Sequence, residues 1–542
     1  KIDRDFLRDL GMEVNAINPQ NLKIYGDGGA MLPLLNGDNT VFDPQENAIK
    51  VVGGEDGSFD SEDFILLYGE GTLQFNAESL THVNAYDDKS YYFITADGGA
   101  GLRVQNMQQP DAPATQVITT YDTYQFHEFD RENLLNLGRR WFGEHFDIEN
   151  EQEFVFEFPN RVADEPVSLR IYVAAISESQ TSFAVRLNGV SVANLSLLPI
   201  DESILARDAS YDSFYRSASS PAVTTSGDQL TVSLNYNNNG NPSSVGYLDF
   251  IALGATCRLS GYGSQFGFSN AEAATVSGVG VYQFSNAAEF SEVWDVTARS
   301  AIASVANENN SADFSFKAQL GAERKYVAVN PNDFYIPKRE NGNALVANQN
   351  IKGSIFQKNG SFQDVDYLIV TSAALRSQAQ RLADHNRTYR GLRVRVVTLN
   401  EIYNEFSSGK QDIGAIRNLV RYVYENASSS ENRLKYLCLL GDASFDYKDR
   451  VAGNNNIVPT FNTYYSFSQS QSYMSDDYFG SLDAAEGIIE NNSPAGSGGS
   501  DRLDVAVGRI LADTPQLADQ VISKIINYDS QASLGRWHND FV

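Results

Sequence analysis

The sequence predicts a multidomain chain, β-rich from residue 1 to about 365 and α/β from 366 to 542. Three observations predict this. A length of 542 residues exceeds what one hydrophobic core serves, so roughly three to five domains are expected. Up to residue 365, short aromatic and β-branched runs alternate at period two between Gly, Asn and Asp turns. At Asp366 the period changes, and continuous apolar runs of strand length alternate with stripes at helical spacing.

Residues 1–150 form the first predicted domain, a β-rich one. Its strands are read at Asp63-Phe64-Ile65-Leu66-Leu67-Tyr68, Ser90-Tyr91-Tyr92-Phe93-Ile94-Thr95 and Gln116-Val117-Ile118-Thr119-Thr120, each bounded by breakers. Between Asp43 and Asp63 seven carboxylates face one Lys50; lacking EF-hand spacing, this stretch reads as a solvated acidic face rather than a calcium loop. Arg131 to Gly143 is expected to be a short helix with Leu134, Leu137 and Trp141 on one face.

Residues 151–258 read as a sandwich of jelly-roll type. Phe154, Phe156 and Phe158, then Leu169-Arg170-Ile171-Tyr172-Val173, Phe183 to Leu187, Leu230 to Leu234 and Tyr247 to Leu253 alternate at period two. Such sandwiches can bind sugar through an aromatic platform. None can be located here, so a spacer role is expected. Residues 259–365 form a third β-rich segment, with strands near Gly280 to Phe284, Phe314 to Ala318 and Tyr326 to Val329.

In residues 366–542, Tyr367-Leu368-Ile369-Val370 is a buried strand and Ala373 to Arg390 a helix, stopped by Gly391. Leu392 to Val397 is the next strand. Ile413, Ile416, Val420 and Val423 mark a helix, Tyr436-Leu437-Cys438-Leu439-Leu440 a third strand, and Leu517 to Tyr528 another helix. This order predicts βαβ units and a parallel sheet covered on both faces.

Charge narrows the function classes. Lys and Arg number 41 against 69 Asp and Glu, a net charge of −28, and no run of five basic residues occurs, which argues against nucleic-acid binding and attraction to an acidic membrane. No stretch of about 18 apolar residues exists, so no transmembrane segment is expected. The opening Lys1-Ile2-Asp3-Arg4-Asp5 has neither an initiator Met nor a signal-type apolar region and reads as a processed or trimmed chain. Two cysteines cannot build a disulfide framework. Cysteine poverty, acidity, 28 Tyr and 31 Phe together have the composition of a bacterial surface or secreted β-protein.

In open α/β sheets ligands bind beyond the carboxyl ends of the strands. Those ends are Thr371-Ser372 and Gly441-Asp442-Ala443-Ser444-Phe445-Asp446. Asp442 and Asp446 can hold a cation, orient a partner or cap their loop as Asx-turns, with capping favoured. Motifs for other chemistries are missing: no GxSxG, HExxH, GxxxxGK[ST] or GxGxxG. Cys438 lies mid-strand among apolar neighbours and is expected to be buried, while Cys257 follows a strand read as ending at Leu253 and is expected to be partly exposed. His82, His127, His145, His385 and His538 are scattered, so no Cys/His pair can be proposed from the residues alone.

A resemblance adds to this. Tyr367 to Thr371, Arg390-Gly391-Leu392-Arg393-Val394 with Thr398, Tyr436 to Asp446, Ser475-Asp476-Asp477-Tyr478-Phe479-Gly480 and Asp504-Val505-Ala506-Val507-Gly508-Arg509-Ile510 resemble the first half of the gingipain-family cysteine peptidase domain. The β-rich leader, with Asn18 to Gly26, is similar to that of the family's surface sortase in the type IX secretion system of Bacteroidetes. The resemblance implies a caspase-like fold with a catalytic His in a His-Gly step and a catalytic Cys ending the next strand, both in the second half of the domain.

Here the histidines are followed by Val83, Glu128, Phe146, Asn386 and Asn539. The dyad is therefore expected beyond Val542, Asp540-Phe541-Val542 reads as the opening of a further strand, and the 542-residue chain alone is expected to be inactive. Asp442, Asp476 and Asp477 are the residues expected at the substrate cleft. By the same resemblance Asp483, Asp501 and Asp504 are expected to bind calcium, with ordinary loop carboxylates as the alternative, since an insert from Asn491 to Ser500 interrupts the match. The implied activity is removal of the C-terminal sorting domain of secreted cargo and attachment of the cargo to surface lipopolysaccharide, at the outer face of the outer membrane. Implied partners are a PorV-like outer-membrane barrel, the cargo C-terminal domains and lipopolysaccharide. A catalytically inactive surface-binding β protein and a secreted gingipain-like protease are the alternatives.

Overall fold

Pairing between strands far apart in sequence organises the β-rich region. The computed structural model describes residues 1–542 apart from 41, 164, 214–226, 341–343, 491–493, 497–501, 531–534 and 536–542. Near the amino terminus, Ile2–Asp3, Lys50–Val52 and Phe64–Leu66 form one small sheet, and Lys23–Tyr25, Glu46–Asn47 and Phe93–Thr95 another. Ile2, Leu7, Leu22, Ile24, Ile49 and Ile65 fill the core they share.

Among the described residues, eight long strands build the sandwich: β1 (Thr120–Glu128), β2 (Glu151–Glu157), β3 (Ser168–Ile176), β4 (Thr181–Leu187), β5 (Val190–Leu197), β6 (Arg207–Ser213), β7 (Gln229–Asn237) and β8 (Val245–Arg258). One sheet has the order β1-β8-β3-β6, with the short strand His145–Phe146 also on β8, and the other β2-β7-β4-β5. All their pairings are antiparallel. This interleaving is the two-Greek-key arrangement of a jelly roll. Ile171, Val173, Leu248 and Leu253 of one sheet and Phe183, Val185, Val232 and Leu234 of the other are fully buried in a common core. The opening strand β1 precedes residue 150, so the jelly roll begins earlier in the chain than its alternating run at Phe154 indicates.

The third segment also recruits strands from the first. Gln116–Ile118 pairs in parallel with Val279–Phe284, which pairs with Phe314–Gln319. Gln105–Asn106 joins the edge of the sheet built from Phe266–Phe268, Tyr326–Val329, Glu292–Asp295 and Ala303–Ala306. The expected helix at 131–143 is absent. Glu132 instead bridges Phe142, and Asn136 and Gly138 have positive φ values of 55° and 77°, which close the stretch into a turn. Leu134 packs on the cluster that holds Phe142, Tyr247 and Phe467, and Trp141 stacks on Phe445, so neither forms a helix face.

The last domain is α/β, as its periodicity predicts. Strands β9 (Tyr367–Thr371), β10 (Val394–Thr398), β11 (Tyr436–Leu440) and β12 (Ala506–Ile510) form a parallel sheet in the order β10-β9-β11-β12. Helices α1 (Arg376–Tyr389) and α4 (Pro515–Tyr528) cover one face, packing on Ile369, Cys438 and Leu440. Helices α2 (Leu399–Phe406) and α3 (Ile413–Glu425) cover the other, packing on Leu368, Val370, Leu437 and Leu439.

Local chemistry sets the helix ends. Thr398 and Glu401 make a capping box at α2, Asp412 accepts from the Gly414 N–H at α3, and Thr514 caps α4 ahead of Pro515. The first domain completes the α/β core, since Leu34, Ala85 and Tyr86 belong to the cluster beneath α2 and α3.

Leu439 is 0% exposed at the centre of the sheet, whereas Tyr436 at the strand's start is 45% exposed. Leu439→Ala is expected to cost about 2–5 kcal/mol and Tyr436→Ala about 0.5 kcal/mol, read from urea denaturation of the two variants side by side.

Candidate functional site

The sheet order reverses between β9 and β11, and the carboxyl ends of these strands meet there. Thr371 Oγ1 donates to the Leu440 carbonyl at 2.8 Å, tying the two ends together. A Cβ on Gly441 would lie 2.6 Å from Ile457 Cγ2, so only glycine lets the chain turn off β11 here. The Asp442 carbonyl then accepts from the Ile457 and Val458 N–H groups, and its carboxylate from Asn455 Nδ2 at 2.7 Å. Burial, followed by the neighbouring Asp513, raises the Asp442 pKa above the ordinary aspartate value. Asp446 is fully buried and caps its own loop, accepting from the Lys448 and Val451 N–H groups at 3.2 and 2.7 Å and from Arg450 Nε at 3.1 Å.

The residue that organises this edge is Arg509 of β12. Its Nη1 donates to the Gly441 and Val458 carbonyls at 2.9 and 2.7 Å, and its Nη2 reaches the Pro459 carbonyl at 3.3 Å. Its Nε and Nη2 grip the Asp476 carboxylate at 2.8 and 2.6 Å, while Thr460 Oγ1 donates to the same group at 2.7 Å. Asp476 is thereby committed to holding the loop. Asp477, beside it, is exposed and opens the turn Asp477–Phe479. Of the three carboxylates expected at the cleft, Asp477 is open to solvent, Asp442 is partly so, and Asp476 is tied to Arg509. The side chains that tie the loop to the rest of the molecule, Arg509, Arg450 and the Arg139–Glu490 pair, were not singled out from sequence, because their partners lie up to 351 residues away.

Of the three residues expected to bind calcium, Asp483 and Asp504 are described. Asp504 accepts from Tyr424 Oη at 3.1 Å and the Leu482 N–H at 3.0 Å, and Asp483 is exposed. Asp501 lies outside the described residues, as do His538 and the segment 540–542, and among the described residues no cluster of three potential metal ligands occurs.

Both thiols are buried. Cys438 is held between neighbouring strands with its pKa pushed up to about 11, and Cys257 has its pKa pushed up to about 12, each by desolvation. The expected exposure of Cys257 does not occur, because β8 continues past Leu253 to Arg258 and keeps it 0% exposed. Each described histidine sits beside a carboxylate: His82 by Glu128 at 2.7 Å, His127 by Glu144 at 3.2 Å, His145 by Glu132 at 3.6 Å and His385 by Asp529 at 2.8 Å. His82, stacked on Phe126 with centroids 4.2 Å apart, is driven by burial down to a pKa of about 4, and burial raises Glu128.

Residues 361–542 match the profile of peptidase family C25. Over its whole length the chain has the fold of dimeric latent PorU from Porphyromonas gingivalis, with a TM-score of 0.78 at 22% sequence identity, covering 100% of this chain and 49% of that chain. The chain thus spans about half the length of the PorU it matches. Two CBM36 carbohydrate-binding modules, one from the hindgut metagenome of Trinervitermes trinervoides and one in complex with calcium and xylotriose, match 24% of the chain with 8% and 12% identity, covering 96% and 98% of the modules. Their TM-scores are both 0.16, too low to speak about ligands. No curated protein matches the chain. Jelly-roll and C25-type α/β parts together make the β-rich, then caspase-like fold that the sequence leads one to expect.

Two outcomes follow. Iodoacetamide at pH 8 is expected to leave Cys257 and Cys438 unmodified in the native protein and to modify both in urea, read by peptide mass. Arg509→Ala, which strands Asp476 and three carbonyls, is expected to destabilise by about 2–4 kcal/mol in urea denaturation, with Arg509→Lys recovering little of the loss.

Proposed function

We propose that this chain is part of a gingipain-type cysteine peptidase that acts as a surface sortase. The observation that carries the reading is the joint one: the α/β segment matches peptidase family C25, and the likeness to PorU extends over the β domains as well. A likeness confined to the peptidase segment would favour a secreted protease equally.

The reading assigns the nucleophile to chain outside these 542 residues, because Cys257 and Cys438 are buried with raised pKa values and a thiolate nucleophile needs exposure and a lowered one. The 542-residue chain by itself is then inactive. In the whole enzyme the thiolate attacks the carbonyl at the junction of cargo and sorting domain. A thioester forms, and the sorting domain leaves as an amine carrying the proton. A nucleophile of surface lipopolysaccharide then takes the acyl group and releases the thiol. The β domains dock a PorV-like barrel and the cargo at the outer face of the outer membrane.

The full-length enzyme, incubated with cargo bearing its C-terminal domain, is expected to release that domain and to be labelled by a thiol-reactive active-site probe on a cysteine other than Cys257 and Cys438. A full-length enzyme that neither releases the domain nor takes the label would favour a surface-binding scaffold instead.

A further inference from the structure

Residues 441–505 connect β11 to β12, and the described ones show little regular structure beyond Phe461–Asn462, Met474–Ser475 and the turn Asp477–Phe479. Tyr447, Val458, Phe461, Tyr478, Phe479 and Leu482 anchor it in the core beneath α2 and α3, and its remaining length is held by what it packs against. A second support is the turn at 133–142. Asn133 shapes it, accepting from the Leu135 and Leu137 N–H groups and donating to the Gly138 carbonyl at 3.0 Å. A Cβ on Gly138 would sit 1.9 Å from the Tyr465 carbonyl oxygen, so the turn approaches the connection as closely as backbone allows.

Three consecutive side chains then enter the connection. Arg139 bonds Glu490 at 2.7 Å and the Asn462 carbonyl at 2.8 Å, and its own N–H bonds the Thr463 carbonyl. Arg140 lies over Tyr464 and Phe467 at 5.3 and 5.5 Å while paired to Asp249 and Asp208 of the jelly roll. Trp141 stacks on Phe445 at 5.7 Å and 19°, with the Arg450 guanidinium 3.7 Å from its ring centre. Arg450 in turn bonds Asp130 at 2.6 Å and Asp446 at 3.1 Å. Phe445 and Asp446 follow directly on the Gly441-Asp442 exit from β11, where ligands of such sheets bind.

We propose that the turn at 133–142 is a positioning element that sets the substrate-side loop of the peptidase domain, with Trp141 and Arg450 as its positioning residues at the sheet edge. This rests on the peptidase reading given above. In that reading the β region does more than dock partners: it fixes the Phe445–Asp446 end of the loop where the substrate backbone passes, so loosening it misplaces substrate relative to the nucleophile.

The test uses the full-length enzyme with Trp141→Ala and Trp141→Phe, reading kcat and KM for sorting-domain release, thiol-probe labelling, and amide exchange over residues 443–451. Trp141→Ala is expected to accelerate exchange there and to lower kcat/KM about tenfold or more, with label still taken, and Trp141→Phe, which keeps the stack, to restore both. Unchanged exchange in Trp141→Ala, or faster exchange with unchanged kcat and KM, would overturn the proposal. If Trp141→Ala does not fold, Arg450→Gln, which removes both ion pairs while keeping bulk, is read against the same criteria. A wild-type enzyme that neither cleaves nor takes label refutes the peptidase reading instead, while the exchange arm still decides whether Trp141 holds the loop.

Discussion

Guanidinium groups buried between the β region and the α/β loops are the constraint on which the arrangement depends. Arg139 and Glu490 are each only 2% exposed at the side chain, and Arg140 and Asp249 each 3%. Removing such groups from water costs several kcal/mol per ion, so each tolerates burial only where its partner and the surrounding carbonyls are in place. The gain in net stability is modest, but loss of either partner would leave an uncompensated buried charge. The jelly roll, the turn at 133–142 and the connection after β11 are therefore held to one another by these pairs.

A second set of contacts joins the other end of the α/β domain to the first domain. Asp412 caps α3 and also accepts from the Leu32 N–H at 2.9 Å, and burial raises its pKa to about 6. Arg417 is fully buried with its guanidinium 4.1 Å from the Tyr478 ring centre, and Arg421 donates to the Asn36 carbonyl at 2.6 Å. Asn36 donates onward to the Ser481 and Asp483 carbonyls, both at 3.0 Å. The first domain thus supports α3 and the far end of the same connection, so the loop that leaves β11 is braced from two sides.

What the sequence made legible follows from the range of the forces involved. Period-two and helical stripes are local, and they located strands β9, β10 and β11, helices α1, α3 and α4, and several jelly-roll strands within a few residues, but not β12. Gly391, with φ of 67°, ends α1 where a left-handed residue is needed. Strand partners are not local: Thr120–Glu128 reads as the tail of a first domain until its pairing with Val245–Arg258 is seen. The apolar spacing at 131–143 is compatible with a helix, but its Arg and Trp side chains find partners more than 300 residues away and Gly138 must fit beneath Tyr465. Asp476 looked available because nothing in its neighbourhood announces that Arg509 of the next strand would take it. Cys438 was legible as a core residue because four apolar neighbours surround it in sequence.

The central claim is that the β region and the connection at 441–505 are one cooperative unit. Native-state amide exchange of the Arg139, Val458 and Tyr464 N–H groups, followed as denaturant is raised, tests it most directly. Their acceptors are the Thr463 carbonyl, the Asp442 carbonyl and the Glu490 carboxylate. The account predicts that these amides exchange only with the global unfolding event that also exposes β11. Exchange through local openings without denaturant, while β11 stays protected, would contradict it.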